Sequence, residues 1–314
     1  MERRHGYWKD SKNTDVYLYA WLPDEGAEWK GILQIAHGMS ESALRYERLA
    51  AFLTSHGYAV YANDHIGHGL TAGSPEQIGI FVKDSFHHMA RHLGEIAHYI
   101  REQHDHKLPL YLMGHSMGSF LVQYMLGTYL AEHPRNVQGV VLSGSNGSQG
   151  PALLGGIVIA ALEARIKGEN HRSKLLHGLT FGAYNKGVSN ARTSSDWLSR
   201  DAAEVAAYEA DPYCGAICSS GFYRDFFRGL RETHSPALLR NIRKDLPIYI
   251  FAGDGDPVGA YGKGIQRLYT MYQNLGVKHV SCKLYPEGRH EMLNEINRDE
   301  VMQDLLEWLD SQRG

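Results

Sequence analysis

Short apolar runs of strand length and longer runs of helical spacing take turns along most of the chain. Residues 16–22 alternate and are rich in strand-forming side chains. Gly31–Ala36 and residues 58–62, 108–113, 137–142, 247–252 and 277–285 are further strand-length runs. Between them, residues 43–55 carry Leu44, Leu49, Phe52 and Leu53 at helical spacing, and residues 85–102 place Met89, Leu93, Ile96 and Ile100 on one helix face. Residues 119–126, 262–275 and 298–309 also read as helices. Strands separated by helices imply right-handed βαβ units, so the expected fold class is α/β, a mostly parallel sheet flanked by helices.

That rhythm stops over residues 143–239, which hold no clear strand. The stretch opens on the glycine-rich run 143–150 and continues with helix candidates at 152–167, 195–208 and 221–233. A loop of that length without structure is rare in a compact domain. The expected organisation is therefore a core of residues 1–146 and 240–314 with a helical cap at 147–239. Ligands of open α/β sheets sit beyond the carboxyl ends of the strands, so such a cap would roof the site. Residues 151–162 are apolar on nearly every helical face and too short to span a bilayer. Such a helix packs among its neighbours, lines an acyl tunnel, or makes transient contact with a membrane surface.

Composition narrows the function classes. The 35 acidic and 32 basic residues leave a net charge of −3, without the electrostatic footprint of a nucleic-acid binder. No apolar signal-like run opens the chain, and the three cysteines, Cys214, Cys218 and Cys282, are an odd, low number. Both features suggest free thiols and a cytoplasmic protein. The histidines tempt a metal reading. His87, His88, His92, His104 and His106 have no acidic partner at ligand spacing, however, and read as solvated or capping side chains.

Gly114-His115-Ser116-Met117-Gly118 lies between a strand and a helix. In that context a G-x-S-x-G run forms a sharp turn that exposes the serine at the head of a helix, where developing negative charge is favoured. Ser116 needs a base, and the base needs an orienting acid. The loop after the strand 247–252 offers Asp254 and Asp256, between which spacing does not choose. The loop after the strand 277–285 offers His290; His279, at that strand's start, belongs at the opposite end of the sheet. An oxyanion would take one backbone N–H from Met117 and a second from Met39, in the loop after Gly31–Ala36. No metal or organic cofactor is needed for this chemistry.

Several motifs resemble the monoacylglycerol lipase and lysophospholipase-like branch of the α/β-hydrolases. They are His37-Gly38-Met39-Ser40-Glu41 followed by Arg45-Tyr46, the loop Asn63-Asp64-His65-Ile66-Gly67-His68-Gly69, the Ser116 pentapeptide, Gly253 to Val258, and Arg289-His290-Glu291. Phe181-Gly182-Ala183-Tyr184-Asn185 and Asp196-Trp197-Leu198-Ser199-Arg200 are similar to bacterial lysophospholipases. The resemblance implies a serine carboxylic ester hydrolase acting on monoacyl lipids through a catalytic Ser116, His290 and Asp256, and leaves Asp254 as a neighbour. Ile66 and Ser42 depart from the branch, which usually has Arg and often His there. An aminopeptidase, a thioesterase or a small-ester carboxylesterase on the same scaffold is the alternative, and a non-catalytic binding protein a third. Acyl length, head group and oligomeric state are not encoded in any motif.

Overall fold

A computed structural model describes residues 1–313. Its strands are β1 (Glu2–Lys9), β2 (Asp15–Leu22), β3 (Gly31–Ala36), β4 (Tyr58–Asn63), β5 (Leu110–His115), β6 (Gly139–Ser143), β7 (Ile248–Gly253) and β8 (Val280–Tyr285). They form one eight-stranded sheet in the order β1-β2-β4-β3-β5-β6-β7-β8. β1 and β2, and β2 and β4, pair antiparallel, and the remaining neighbours are parallel. Every residue of β3 to β7 is buried. A parallel sheet covered on both faces needs apolar side chains on both, which is why these strands read as continuous apolar runs rather than alternations.

The helices are α1 (Glu47–Ser55), α2 (Ser85–Gln103), α3 (Met117–Leu126), α4 (Tyr129–Glu132), α5 (Pro151–Lys167), α6 (Lys174–Phe181), α7 (Ala202–Ala210), α8 (Ser220–Thr233), α9 (Pro236–Asn241), α10 (Lys263–Asn274) and α11 (Arg298–Ser311). Leu33, Ile35, Val60, Met113 and Phe251 meet α1 and α11 on one face of the sheet. Ile32, Leu110, Leu112, Val140 and Ile250 meet α2, α3 and α10 on the other. Five helices, α5 to α9, fill the gap between β6 and β7. Phe222, Phe226 and Phe227 of α8 are buried within the second of these cores. α5 lies on α8, yet its other side is open, with Val158 57% and Ile166 78% exposed. No helix among the described residues is long and apolar enough to cross a membrane.

Three expectations need correction. β1 was not anticipated, because its sequence ERRHGYWK is half charged and mostly exposed and carries no continuous apolar face. The helix expected over 195–208 is instead a run of turns through Arg200 followed by α7. His92 is not solvated but fully buried, bonding Asp10 through Nε2 at 2.9 Å. Asp10, in the β1–β2 turn, also accepts from Lys12 N at 2.9 Å, Thr14 N at 2.6 Å and Arg91 at 2.7 Å. Burial alone raises its carboxyl, but these donors hold it well below the usual range. The histidine thus pins the edge hairpin to α2.

Candidate active site

Ser116 is the single residue between β5 and α3. Its backbone sits at φ 51° and ψ −119°, and such strain costs of order 1–3 kcal/mol outside glycine. Backbone bonds hold it there: Ser116 N–H donates to Ser143 O at 3.0 Å, and Ser116 O accepts from Ser119 N–H at 2.9 Å. The turn closes only because residue 118 is glycine, since a Cβ there would lie 2.0 Å from Ala36 O.

The next two loops converge on the same end of the sheet. Asp256, in the loop after β7, is fully buried, and His290, after β8, is 2% exposed. His290 Nδ1 lies 3.0 Å from Asp256 Oδ2, and Asp256 Oδ1 accepts from Val258 N–H at 2.8 Å. Asp254 is engaged elsewhere, accepting from Glu287 N–H at 2.6 Å in an exposed turn. His279 stands at the start of β8, its carbonyl accepting from Ile248 N–H at 2.8 Å. Geometry therefore separates the two acids that spacing left open.

Burial alone would lower the pKa of His290, but the charge of Asp256 and its hydrogen bond reverse the direction and leave it raised. The His290 ring is held between two others, with centroids 4.7 Å from His115 and 4.9 Å from Trp197. His115 is pushed down to about 4 by burial and by His290, so it stays neutral near pH 7. No hydrogen bond joins Ser116 Oγ to His290 among the described residues, as is common for such pairs before substrate binds.

Gly38 brings the loop after β3 against the serine, and a Cβ there would lie 3.2 Å from Ser116 Cβ. The Gly38 N–H is spent on the Glu41 carboxylate. The N–H groups of Met39 and Met117 have no hydrogen-bond partner among the described residues. Ser116, His290, Met39 and Met117 all line one cavity of about 400 Å³. Phe120, Phe181, Trp197 and Phe226 supply apolar wall, and Tyr184, Asn185 and Tyr208 supply polar groups. This is the size and make-up of a small-molecule site. Asp256 stands behind His290, outside that wall. No group of three or more His, Cys, Asp or Glu that could hold a metal ion occurs among the described residues.

A family model described as "Serine aminopeptidase, S33" matches residues 27–297. The chain belongs to that family. It is 30% identical over 298 residues to monoacylglycerol lipase of Mycolicibacterium smegmatis, covering 92% of this chain and 90% of that one. It is 28% identical over 281 residues to monoglyceride lipase of Rattus norvegicus, covering 85% and 81%. A thermostable carboxyl esterase from Bacillus coagulans superposes with a TM-score of 0.88 at 26% identity, covering both chains completely. A soluble variant of monoglyceride lipase from Saccharomyces cerevisiae, solved with a substrate analog, superposes with a TM-score of 0.76, covering 99% of this chain and 96% of that one. At 20% identity the yeast likeness speaks for the fold alone. The chain has the α/β-hydrolase fold, falls in its monoacylglycerol lipase-like branch, and is a hydrolase of carboxylic esters.

Two features of this S33-family site went unread in the sequence. One is the contact of Trp197 with His290. The other is Arg45, whose guanidinium grips Glu291 at 2.6 and 2.7 Å and Glu41 at 2.7 Å. Glu291 directly follows His290, and Glu41 accepts from Gly38 N–H and from Tyr46 OH at 3.0 Å. One cation therefore ties the His290 loop to the Met39 loop. Burial raises the Glu291 carboxyl, but Arg45 outweighs it and holds it well below the usual carboxylate range. Arg45→Met would leave two buried carboxylates without a counter-charge, and losing one partner of a buried pair costs about 3–5 kcal/mol. The expected result is an unfolding free energy from urea titration lowered by that much and kcat/KM on a nitrophenyl ester down at least tenfold. Arg45→Lys should recover part of the stability but not the two-pronged grip.

Proposed function

We propose that this chain hydrolyses monoacyl lipid esters through an acyl-enzyme on Ser116, with His290 as base and Asp256 as its orienting acid. One observation carries the reading: Ser116 and a buried, Asp256-bonded His290 open together into a largely apolar cavity of about 400 Å³. Ser116 Oγ attacks the ester carbonyl while His290 Nε2 takes its proton. Asp256 keeps the other ring proton on Nδ1 and stabilises the imidazolium. The N–H groups of Met39 and Met117 receive the oxyanion. The imidazolium then protonates the departing alcohol. Water, deprotonated by the same histidine, attacks the acyl-enzyme and releases the fatty acid.

The family's description names an aminopeptidase, which would need a free carboxylate for the substrate's ammonium group. Glu41 and Glu291 both reach the cavity wall, but their oxygens are committed to Arg45, Gly38 N–H, Tyr46 and Asn294. That commitment favours a neutral ester over an amine. The expected result is Ser116-dependent hydrolysis of a nitrophenyl ester series that peaks at medium or long chains. Activity confined to the shortest esters would replace the lipid reading with a small-ester hydrolase.

Residues 147–239 act in this reading as the cap, and its outer face meets a lipid surface. Leu154, Val158, Leu162 and Ile166 of α5 and Leu175 and Leu179 of α6 are exposed, with Arg165, Lys167 and Lys174 beside them. Burying each large apolar side chain is worth roughly 1.5–3 kcal/mol. Val158→Glu with Leu162→Glu should therefore cut hydrolysis of monoacylglycerol presented in vesicles by about tenfold or more and leave a water-soluble short ester unaffected. Equal losses on both substrates would refute the surface role. The three free cysteines support a reducing compartment, in keeping with a cytoplasmic enzyme.

A further inference from the structure

The glycine-rich run that follows β6 has no part in the reaction above, yet it sits where the catalytic loops meet. We infer that Asn146 is a positioning residue that holds the Asp256 loop to the helix behind Ser116; this rests on the assignment of Asp256 as the orienting acid. The Asp256 loop needs such a hold. It carries two consecutive non-glycine residues in the left-handed region, Ala260 at φ 50° and Tyr261 at φ 56°, a conformation that persists only when its surroundings impose it.

Asn146 is 6% exposed, and both ends of its side-chain amide are hydrogen-bonded. Its Nδ2 donates to Val258 O at 2.7 Å, and its Oδ1 accepts from Gly147 N–H at 2.7 Å. Val258 is the residue whose N–H donates to Asp256 Oδ1 at 2.8 Å. Both backbone groups of Val258 are therefore used, one to fix the acid and one to anchor the loop. On the other side, the Asn146 carbonyl accepts from Gln123 Nε2 at 3.1 Å, and the same amide donates to Ser145 Oγ at 2.8 Å. Ser145 Oγ and Ser119 Oγ are hydrogen-bonded at 2.7 Å, and Ser119 Oγ donates to Ser116 O at 2.6 Å. Because each hydroxyl has one proton, Ser119 gives its own to Ser116 and takes that of Ser145. A continuous buried chain thus runs from the carbonyl of Ser116 through Ser119, Ser145, Gln123 and Asn146 to the loop of Asp256.

The position is specific for asparagine. Aspartate lacks the donor, and serine is too short to reach Val258. Glutamine is a methylene too long for the space, since even a Cβ on Gly264 would lie 2.3 Å from Asn146 Oδ1.

The test is a double-mutant cycle on nitrophenyl ester hydrolysis, with thermal melting run alongside. Asn146→Ala should lower kcat by about 10- to 100-fold, the scale of a small misplacement far from the chemistry, with KM changed less than about threefold. In an Asp256→Asn background the same substitution should cost under about twofold, because the group it positions has gone. A full loss persisting in that background, or an unchanged kcat in the single variant, overturns the proposal. If Asn146→Ala does not fold, Asn146→Asp keeps the volume, exchanges the donor for a carboxylate oxygen that cannot bond Val258 O, and is read by the same criteria. An Asp256→Asn protein that loses less than tenfold on its own overturns the assignment of Asp256 and this proposal with it. A failure of Asn146 alone is recognised because Asp256→Asn keeps its large loss.

Discussion

Ser116→Ala should lower kcat for ester hydrolysis by more than a thousandfold and leave the melting temperature nearly unchanged. Removing the nucleophile of a comparable triad costs about 10⁶ in kcat, and what survives comes from the oxyanion donors and binding. Stability should be spared for a local reason. The strained turn is held by the N–H and carbonyl of residue 116, bonded to Ser143 O and Ser119 N–H, and alanine keeps both. The hydroxyl forms no hydrogen bond to the base that its loss would leave unsatisfied. The measurement is kcat on the ester of preferred chain length, with melting curves of both proteins. More than about a thousandth of parental activity, after parental enzyme has been excluded as a contaminant, would remove Ser116 as nucleophile.

The parts of this site that were legible in the sequence are those fixed by local rules. The pentapeptide around Ser116 announces itself because a turn that tight demands glycine where it meets β3. The parallel strands announce themselves because a sheet covered on both faces must be apolar throughout. What stayed hidden depends on partners far apart in the chain. Spacing could not choose between Asp254 and Asp256, since both sit in one short loop; the family resemblance implied Asp256, and burial beside His290 is the physical difference between them. Arg45 and Glu291 are 246 positions apart, and no periodicity links them. β1 was silent because an edge strand that faces water needs no apolar pattern. His92 misled because its partner, Asp10, lies in a hairpin that hydropathy does not predict.

Helix α5 illustrates the same limit from the other direction. Residues 151–162 are apolar on nearly every face, and the sequence allowed burial, an acyl tunnel or a lipid surface. One side of α5 rests on α8 while Val158 and Ile166 stand in the open. That open side is the one that the proposed function places against a lipid surface.

Asp256→Asn should lower kcat by about 10⁴, the scale seen when a triad acid loses its charge and its histidine takes the wrong tautomer. The pH dependence separates this from general damage. Hydrolysis needs neutral His290, so the acid limb of kcat/KM follows the pKa of that ring. Burial pushes that pKa down, and Asp256 raises it past its ordinary value. Without the carboxylate the largest upward push is gone, and only the smaller ones of Glu291 and Glu41 oppose burial, so the acid limb should move to lower pH even as the plateau falls. Stability follows the same linkage. Because the folded pKa of His290 is raised, the protonated pair contributes fully below the unfolded value near 6.5 and is lost as pH rises through the folded one. Asp256→Asn should therefore lose more stability in urea titrations at pH 5 than at pH 9. Asp254→Asn is the control: Asp254 only accepts from Glu287 N–H in an exposed turn, so kcat should fall less than about threefold, with no movement of the acid limb. An acid limb that moved upward in Asp256→Asn, or an Asp254→Asn protein as impaired as Asp256→Asn, would mean that the acid had been misassigned.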